Sequence, residues 1–436
     1  MRKTENLIIY QIALRSFTPE GTIKAATKML PHIKSLGVDV AYVCPFFVED
    51  EDWDESVWSP RQRASETGNP KNPYKIADYY NIDEEYGTKE DLKEFADTAH
   101  SLGLLVMYDL VYLHCGRNAV FIKDNPDFVV CDEFGKPIVG ETWPFARLNF
   151  ENKELRKYLI KNMEMLIKEF DADGFRCDVG DGVPLDFWDE AFNELKPLNE
   201  NLIKLNEGVD PEYIKSVFHM GYNFNYTKVM RGVFADGNSA TDLINMYNEE
   251  KEKYGDNIPK LIRTIDTHDT ASDCGLLRNE IVMTSKGVEA ALVVNNTIDG
   301  VVFFWNGYEA CDNAENNMFA NRFYTKRSQV NWSRAFTEDG IRRMKFVKAI
   351  HKLHHENDAI VNGRMQWVEN TSPDEIVSFI KISDKQKLLV VVNSKKKSVK
   401  AKVNIDLSGK ILMKSDAEIN ASEISLKPYG YVIIEV

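Results

Sequence analysis

Eight short apolar segments, each running into a polar loop, recur through the first 307 residues with amphipathic stretches between them. They are LIIYQIA (7–13), VDVAYVCPFF (38–47), LLVMYDLV (104–111), GFRCDV (174–179), LIKLNE (202–207), YNFNYT (222–227), IRTIDTHD (262–269) and VVFFWNG (301–307). The sixth is short and polar. Between the segments, AATKMLPHIKSLG, KEDLKEFADTAHSLG and KELRKYLIKNMEMLIKEF carry apolar residues three and four apart, and the first two end in glycine, a normal helix stop. Eight buried strands alternating with helices predict an α/β fold, a closed parallel (β/α)8 TIM barrel.

Two connections are long. Residues 48–80 hold Trp53, Trp58, Tyr74, Asp78 and Tyr79, and residues 112–148 form an excursion in which PDFVVCDEFGKPIVG reads as a hairpin. From about residue 362 the pattern changes to alternating apolar and polar residues in EIVSFIKI, KLLVVVNS, VKAKVNI and YGYVIIEV, the signature of an antiparallel β-sandwich. The expected organisation is a barrel over 1–111 and 149–355, a small inserted domain over 112–148 and a C-terminal sandwich over 356–436. A chain of 436 residues, 43% of them hydrophobic, is long enough to build all three.

A net charge of -14 argues against nucleic acid or an anionic membrane surface as partner. The apolar run at the start is too short for a secretion signal and is stopped by Arg15, and no stretch approaches the roughly 20 apolar residues of a membrane span. The six cysteines, Cys44, Cys115, Cys131, Cys177, Cys274 and Cys311, show no CxxC spacing. Reduced thiols and a cytoplasmic location are expected, with no zinc and no cofactor. Oligomeric state is left open.

Three of the apolar segments deliver a carboxylate at or near the strand end: Asp178, Glu207 and Asp269. The C-terminal ends of the strands are where a parallel barrel keeps its chemistry. Two carboxyl groups facing one bond are what glycoside hydrolysis requires. Arg176 stands two residues before Asp178 and shares its side of the strand, so its charge would keep that carboxylate ionised, while Cys177 points the other way. The plainer alternatives are a structural Arg–Asp pair, an ordinary turn at Asn206-Glu207-Gly208, and core packing for Tyr74. Trp53, Trp58 and Trp143 could line outer sugar subsites or simply pack.

At these residues the chain resembles the α-amylase family, glycoside hydrolase family 13. DLVYLH supplies Asp109 and His114, GFRCD is complete from Gly174 to Asp178, Glu207 ends strand five, and His268-Asp269 ends strand seven. NPYKIADYYNIDEEYGTKEDLKEF, with Tyr74 and Asp78, FFWNGYE and the ending PYGYVIIE also match, so the likeness runs over nearly the whole chain. The resemblance implies Asp178 as nucleophile, Glu207 as acid/base and Asp269 as the third catalytic carboxylate. It implies Arg176, His114, His268, Tyr74 and Asp78 as substrate-binding residues, with Tyr74 stacking on a sugar face. The expected activity is retaining hydrolysis of α-glucosidic bonds in malto-oligosaccharides or related dextrins. An α-glucosyl transferase or phosphorylase of the same family is the alternative, and a non-catalytic relative is disfavoured because all three carboxylates are present. The start at strand one implies that the N-terminal module of some dimeric relatives is lacking.

Four positions depart from the family pattern. Leu113 replaces an asparagine that often binds calcium, Asp181-Gly182 replaces a Lys-His pair, Thr267 replaces an asparagine, and Lys71 stands where exo-acting α-glucosidases often have aspartate. Calcium takes about six to eight oxygen ligands, and leucine offers none. No metal is expected. Activity and melting temperature should therefore be unchanged by EDTA; a large fall in melting temperature on chelation, restored by calcium, would overturn this reading of Leu113.

Overall fold

The computed structural model describes residues 3–140, 143–272, 276–320, 323, 328–420 and 423–436, the side chain of Ser272 excepted. Cys274 and residues 141–142 of the expected inserted segment lie outside them. Eight parallel strands form one sheet: β1 (Ile8–Ile12), β2 (Val40–Val43), β3 (Leu105–Leu110), β4 (Gly174–Cys177), β5 (Ile203–Asn206), β6 (Met220–Gly221), β7 (Ile262–Arg263) and β8 (Val301–Trp305). Their order is β6-β5-β4-β3-β2-β1-β8-β7, and a single parallel bridge between Gly221 and Leu261 closes the ring. This is the expected barrel. Its strands are built from Val, Ile, Leu, Tyr and Phe, side chains that pack well on a pleated surface buried on both faces.

The covering helices begin where the sequence supplies a cap. Thr22 accepts from the Ala25 N–H at the start of α1 (Ile23–Ser35), and Thr88 and Asp91 form a reciprocal capping box on α2 (Lys89–Ser101). Asn152 caps α3 (Lys153–Phe170), which ends at Asp171 in the left-handed region. The buried side of α3 includes Leu155, Leu159, Met163, Leu166 and Phe170, spaced three and four apart.

The sixth strand departs from expectation. YNFNYT is not extended: Asn223 accepts from the Tyr226 N–H and starts helix α4 (Phe224–Arg231), while the preceding Met220 and Gly221 make the strand. An asparagine able to cap its own downstream N–H groups outweighed the alternating pattern. On its β7 side this short strand has a single backbone bridge, which side chains reinforce. Glu250 of α5 (Thr241–Tyr254) accepts from both terminal nitrogens of Arg263, at 2.9 and 2.8 Å, and from the Asn223 amide. The strand expected at 262–269 is also shorter: it ends at Arg263, and residues His268–Ser272 are helical.

Two excursions leave the ring. After β2, Phe47–Glu49 pairs with Ile76–Ile82; after β3, His114–Cys115 pairs with Ala146–Arg147. Beneath them the buried Arg15 bonds Glu49 at 2.8 Å, Glu85 at 2.7 Å and the Met318 carbonyl at 2.9 Å. One guanidinium thereby joins the loops after β1, β2 and β8.

The C-terminal strands are β9 (Arg364–Trp367), β10 (Ile376–Ile382), β11 (Lys387–Asn393), β12 (Val399–Lys402), β13 (Lys410–Asn420) and β14 (Glu423–Glu435). They pair in the order β9-β10-β11-β14-β12, with β13 also on β14, all antiparallel. Alternation sends Val377, Phe379, Val390 and Ile433 into the main core, and Ile376, Leu389, Val391 and Val432 into a smaller one. Among the described residues no helix is long and apolar enough to cross a membrane.

Asp299, just before β8, ties the two parts together. Its carboxylate is paired with Lys381 of β10, both buried, and accepts from the Tyr247 hydroxyl at 2.6 Å and the Met365 N–H at 3.3 Å. Removing one partner of such a pair leaves an unmatched buried charge. Lys381→Met should cost about 3–5 kcal/mol in denaturant unfolding, and Lys381→Met with Asp299→Asn should regain part of it. A Lys381→Met loss under about 1 kcal/mol, the range of a surface pair, would contradict this role.

Candidate active site

A cavity of about 890 Å³ opens at the C-terminal ends of the barrel strands. Its floor is organised by Arg176, whose side chain is fully buried. Register places Arg176 of β4 beside Asp109 of β3. Nη1 donates to Asp109 at 2.8 and 3.0 Å and to Asp178 Oδ1 at 2.9 Å, and Nη2 lies 2.7 Å from Glu207 Oε1. The guanidinium also sits between the Tyr74 and Tyr222 rings, 5.7 and 5.5 Å from their centroids.

The backbone after the strand contributes as well. Val179 has φ 41°, a costly conformation for a β-branched residue, and it aims its N–H at Glu207 Oε2, 2.9 Å away. Asp181 accepts from Asn206 at 2.5 Å and from the Val209 and Asp210 N–H groups at 2.7 and 2.9 Å, pinning the loop after β5 to the loop after β4. Only glycine fits at 208, where a Cβ would lie 2.0 Å from the Asp181 carboxylate.

Burial and the Glu207 charge push Asp178 well above the ordinary carboxylate range, against the pull of Arg176. Burial likewise raises Glu207, with Arg176 opposing it. Both sit on the one guanidinium and titrate as a coupled pair whose proton is held above the ordinary carboxylate range. Asp269 behaves differently. Burial raises it, but His268, Arg61 and Arg176 together hold it below the ordinary range.

His268 is held at both ring nitrogens: Gln11 Nε2 lies 2.7 Å from Nδ1, and the Tyr74 hydroxyl 2.7 Å from Nε2. Because the Gln11 amide nitrogen can only donate, the network assigns the proton to Nε2, which donates to Tyr74, and Tyr74 donates to Asp109 at 3.1 Å. Burial lowers His268 to about 4, so it stays neutral. His114, also lowered to about 4 by burial, bonds the Tyr74 carbonyl at 3.0 Å and packs against Phe145.

The structure thus brings together Asp178, Glu207, Asp269, Arg176, His114, His268 and Tyr74. Asp78 does not join them. Its carboxylate turns back to its own strand, accepting from the Tyr80 N–H at 2.8 Å and the Asn81 amide at 2.7 Å. Trp143 lines the cleft, whereas Trp58 is buried with its N–H on the Asp52 carbonyl at 2.6 Å. Sequence reading missed Gln11, Tyr222 and Arg61. Gln11 had a signal, a polar residue in an otherwise apolar strand; Tyr222 and Arg61 had none.

The region where a calcium ion would pin the excursion does not fit one. Leu113 packs against Gly182, and the Asp181 carboxylate is engaged by backbone and amide donors. Among the described residues no group of three or more His, Cys, Asp or Glu could hold a metal ion.

Comparison with known proteins places this geometry in context. The alpha-amylase catalytic domain model matches residues 4–129. Alpha-amylase 2 of Dictyoglomus thermophilum is 23% identical over 422 residues, covering 89% of this chain and 69% of that protein. The intracellular maltogenic amylase of Bacillus subtilis is 25% identical, covering 86% of this chain and 62% of that one. The chain thus spans about two thirds of the length of these curated relatives. A maltogenic alpha-amylase from Thermotoga neapolitana superposes with a TM-score of 0.83 at 24% identity, over the full length of both chains. Motifs in order, barrel and relatives agree: the chain is similar to the α-amylase family of glycoside hydrolases in both sequence and fold.

Proposed function

We propose that the protein is a retaining α-glycosidase that cleaves α-glucosidic bonds in malto-oligosaccharides or related dextrins. The observation that carries this is the single buried guanidinium that touches both Asp178 and Glu207 at the floor of a cleft. Asp178 is the nucleophile. Arg176 holds its Oδ1, and Oδ2 takes no hydrogen bond from a described protein donor. A carboxylate oxygen attacks the anomeric carbon, the glycosidic C–O bond breaks, and Glu207 gives its proton to the departing oxygen. Glu207, now ionised, takes a proton from water, which attacks the same carbon and frees Asp178. Asp269 and His114 hold the sugar hydroxyls, His268 orients Tyr74 from its two engaged ring nitrogens, and the lowered Asp269 keeps a negative charge near the oxocarbenium-like transition state.

Two features support retention. Both carboxyls are drawn onto one guanidinium, at 2.9 and 2.7 Å from its two terminal nitrogens, whereas inverting enzymes need a gap of about 6.5–9.5 Å to seat a water. The pair also retains one proton, which supplies an acid and an ionised nucleophile together. The substrate class follows the relatives, which include the maltogenic amylases above and a cyclomaltodextrinase at 22% identity. The intracellular relative supports placing the protein in the cytoplasm.

Proton NMR of early products should show the α-anomer first. Asp178→Asn should lower turnover roughly 10⁴-fold while substrate still binds. A β-anomer product would refute retention, and no turnover on maltotriose or any aryl α-glucoside would favour a binding protein.

The pH profile follows from the shared proton. Activity needs the singly protonated pair, so it falls at low pH as a second proton is taken up and at high pH as the remaining one is lost. Both members are raised, so the alkaline limb should lie above the ordinary glutamate value of about 4.3. That limb should persist in His268→Gln, because His268 is already neutral above about 4. Its disappearance in that variant would assign the limb to the histidine instead.

A further inference from the structure

We infer that Arg61 closes the glycon side of the cleft and restricts the enzyme to non-reducing chain ends. This rests on the glycosidase reading above and adds the end of the chain on which it acts. Arg61 lies on a short helix, Pro60–Ala64, in the loop after β2. Its guanidinium donates to the Asp269 carboxylate and lies 5.7 Å from the Trp143 ring centroid. The side chains of Arg61 and Asp269 are 22% and 28% exposed, so the contact stands at the mouth of the cleft. Trp143 belongs to the excursion after β3 and Asp269 to the end of β7. One side chain from the loop after β2 therefore joins walls contributed by three barrel loops.

Ring topology gives the direction. Glu207 stands at the end of β5, and β5 is diametrically across an eight-stranded ring from β1. The group that Glu207 protonates departs over the β5 side, so the retained sugar points toward β1 and its neighbours β2 and β8. That side is a fused wall. Arg15 joins its three loops, and the Asn69 amide of the β2 loop donates to the Phe319 carbonyl of the β8 loop at 2.9 Å. Gln62, next to Arg61, donates to the Asn69 and Lys71 carbonyls at 3.0 and 3.4 Å, so Arg61 projects from a braced turn. A long chain threading past Asp269 toward this wall would have to displace both the Arg61–Asp269 ion pair and the Arg61–Trp143 contact. A chain that ends at the site need not, and its terminal hydroxyls meet the guanidinium. Arg61 is thus a specificity-determining residue.

The test compares malto-oligosaccharides with a free non-reducing end and the same compounds carrying a 4,6-O-ethylidene block there. The full-length chain is used as wild type, Arg61→Ala and Arg61→Lys. Wild type should favour the free-ended compounds in kcat/KM by about tenfold or more. Arg61→Ala should bring the two within about threefold and release longer products, whereas Arg61→Lys should keep much of the preference. Equal rates on blocked and free compounds in wild type, or an unchanged preference in Arg61→Ala, would overturn the proposal. A binding arm separates this from failure of the glycosidase reading. Calorimetry on Asp178→Asn, with and without Arg61→Ala, should show tighter binding of free than of blocked maltotriose only when Arg61 is present. Equal binding in both backgrounds would overturn the Arg61 proposal whether or not the wild type turns over.

Discussion

Much of the site depends on one buried cation among three carboxylates. Arg176 touches Asp109, Asp178 and Glu207 with no exposure of its own side chain. A unit charge pair about 4 Å apart interacts by about 4 kcal/mol at the effective dielectric of a protein, so one cation cannot balance three anions there. The unmatched repulsion is relieved by a proton on the Asp178–Glu207 pair. The same arrangement that makes the cluster tolerable therefore stocks it with the proton that glycosidic cleavage needs. Asp109 never reaches the cleft; it fixes the guanidinium and accepts from the Tyr42 and Tyr74 hydroxyls at 2.6 and 3.1 Å.

Strain and rigidity around this cluster serve the same end. The left-handed conformation of Val179 costs of order 1–3 kcal/mol and is held by the surrounding loops. It directs a backbone N–H at Glu207 that an extended residue would send elsewhere. Gln11 of β1 performs the parallel service for His268 at the end of β7, fixing its tautomer and so the orientation of Tyr74.

The sequence was most legible where the buried pattern and a family motif coincided. The long apolar strands, the capped helices and the three carboxylates could be read because each needs a specific residue at a specific period. The C-terminal alternation was legible for the same reason. The sixth strand was not, because Asn223 turned an alternating stretch into a helix start. Trp58 and Trp143 look alike in sequence, yet one is core and the other lines the cleft, a difference set by how the loops fold over each other. Asp78 sits in a well-formed motif but spends its carboxylate on its own strand. Arg61 was invisible because its partner, Asp269, lies 208 residues away and the two meet only when the loop is folded.

The short sixth strand has a consequence for how the barrel behaves as a mechanical object. Seven of the eight junctions in the ring are strand pairings, but the junction between β6 and β7 has only the Gly221–Leu261 bridge. What reinforces it is the carboxylate of Glu250, gripping Asn223 on one side and Arg263 on the other, with the Thr227 hydroxyl donating to the Thr264 carbonyl at 3.0 Å. The barrel is therefore less a hoop than a belt with a buckle, and the buckle is a charge carried by an outer helix. That fastening stands next to Tyr222 and a few residues ahead of His268 and Asp269, so the one ring junction that rests on a charge rather than on a strand ladder is also the one beside the cleft.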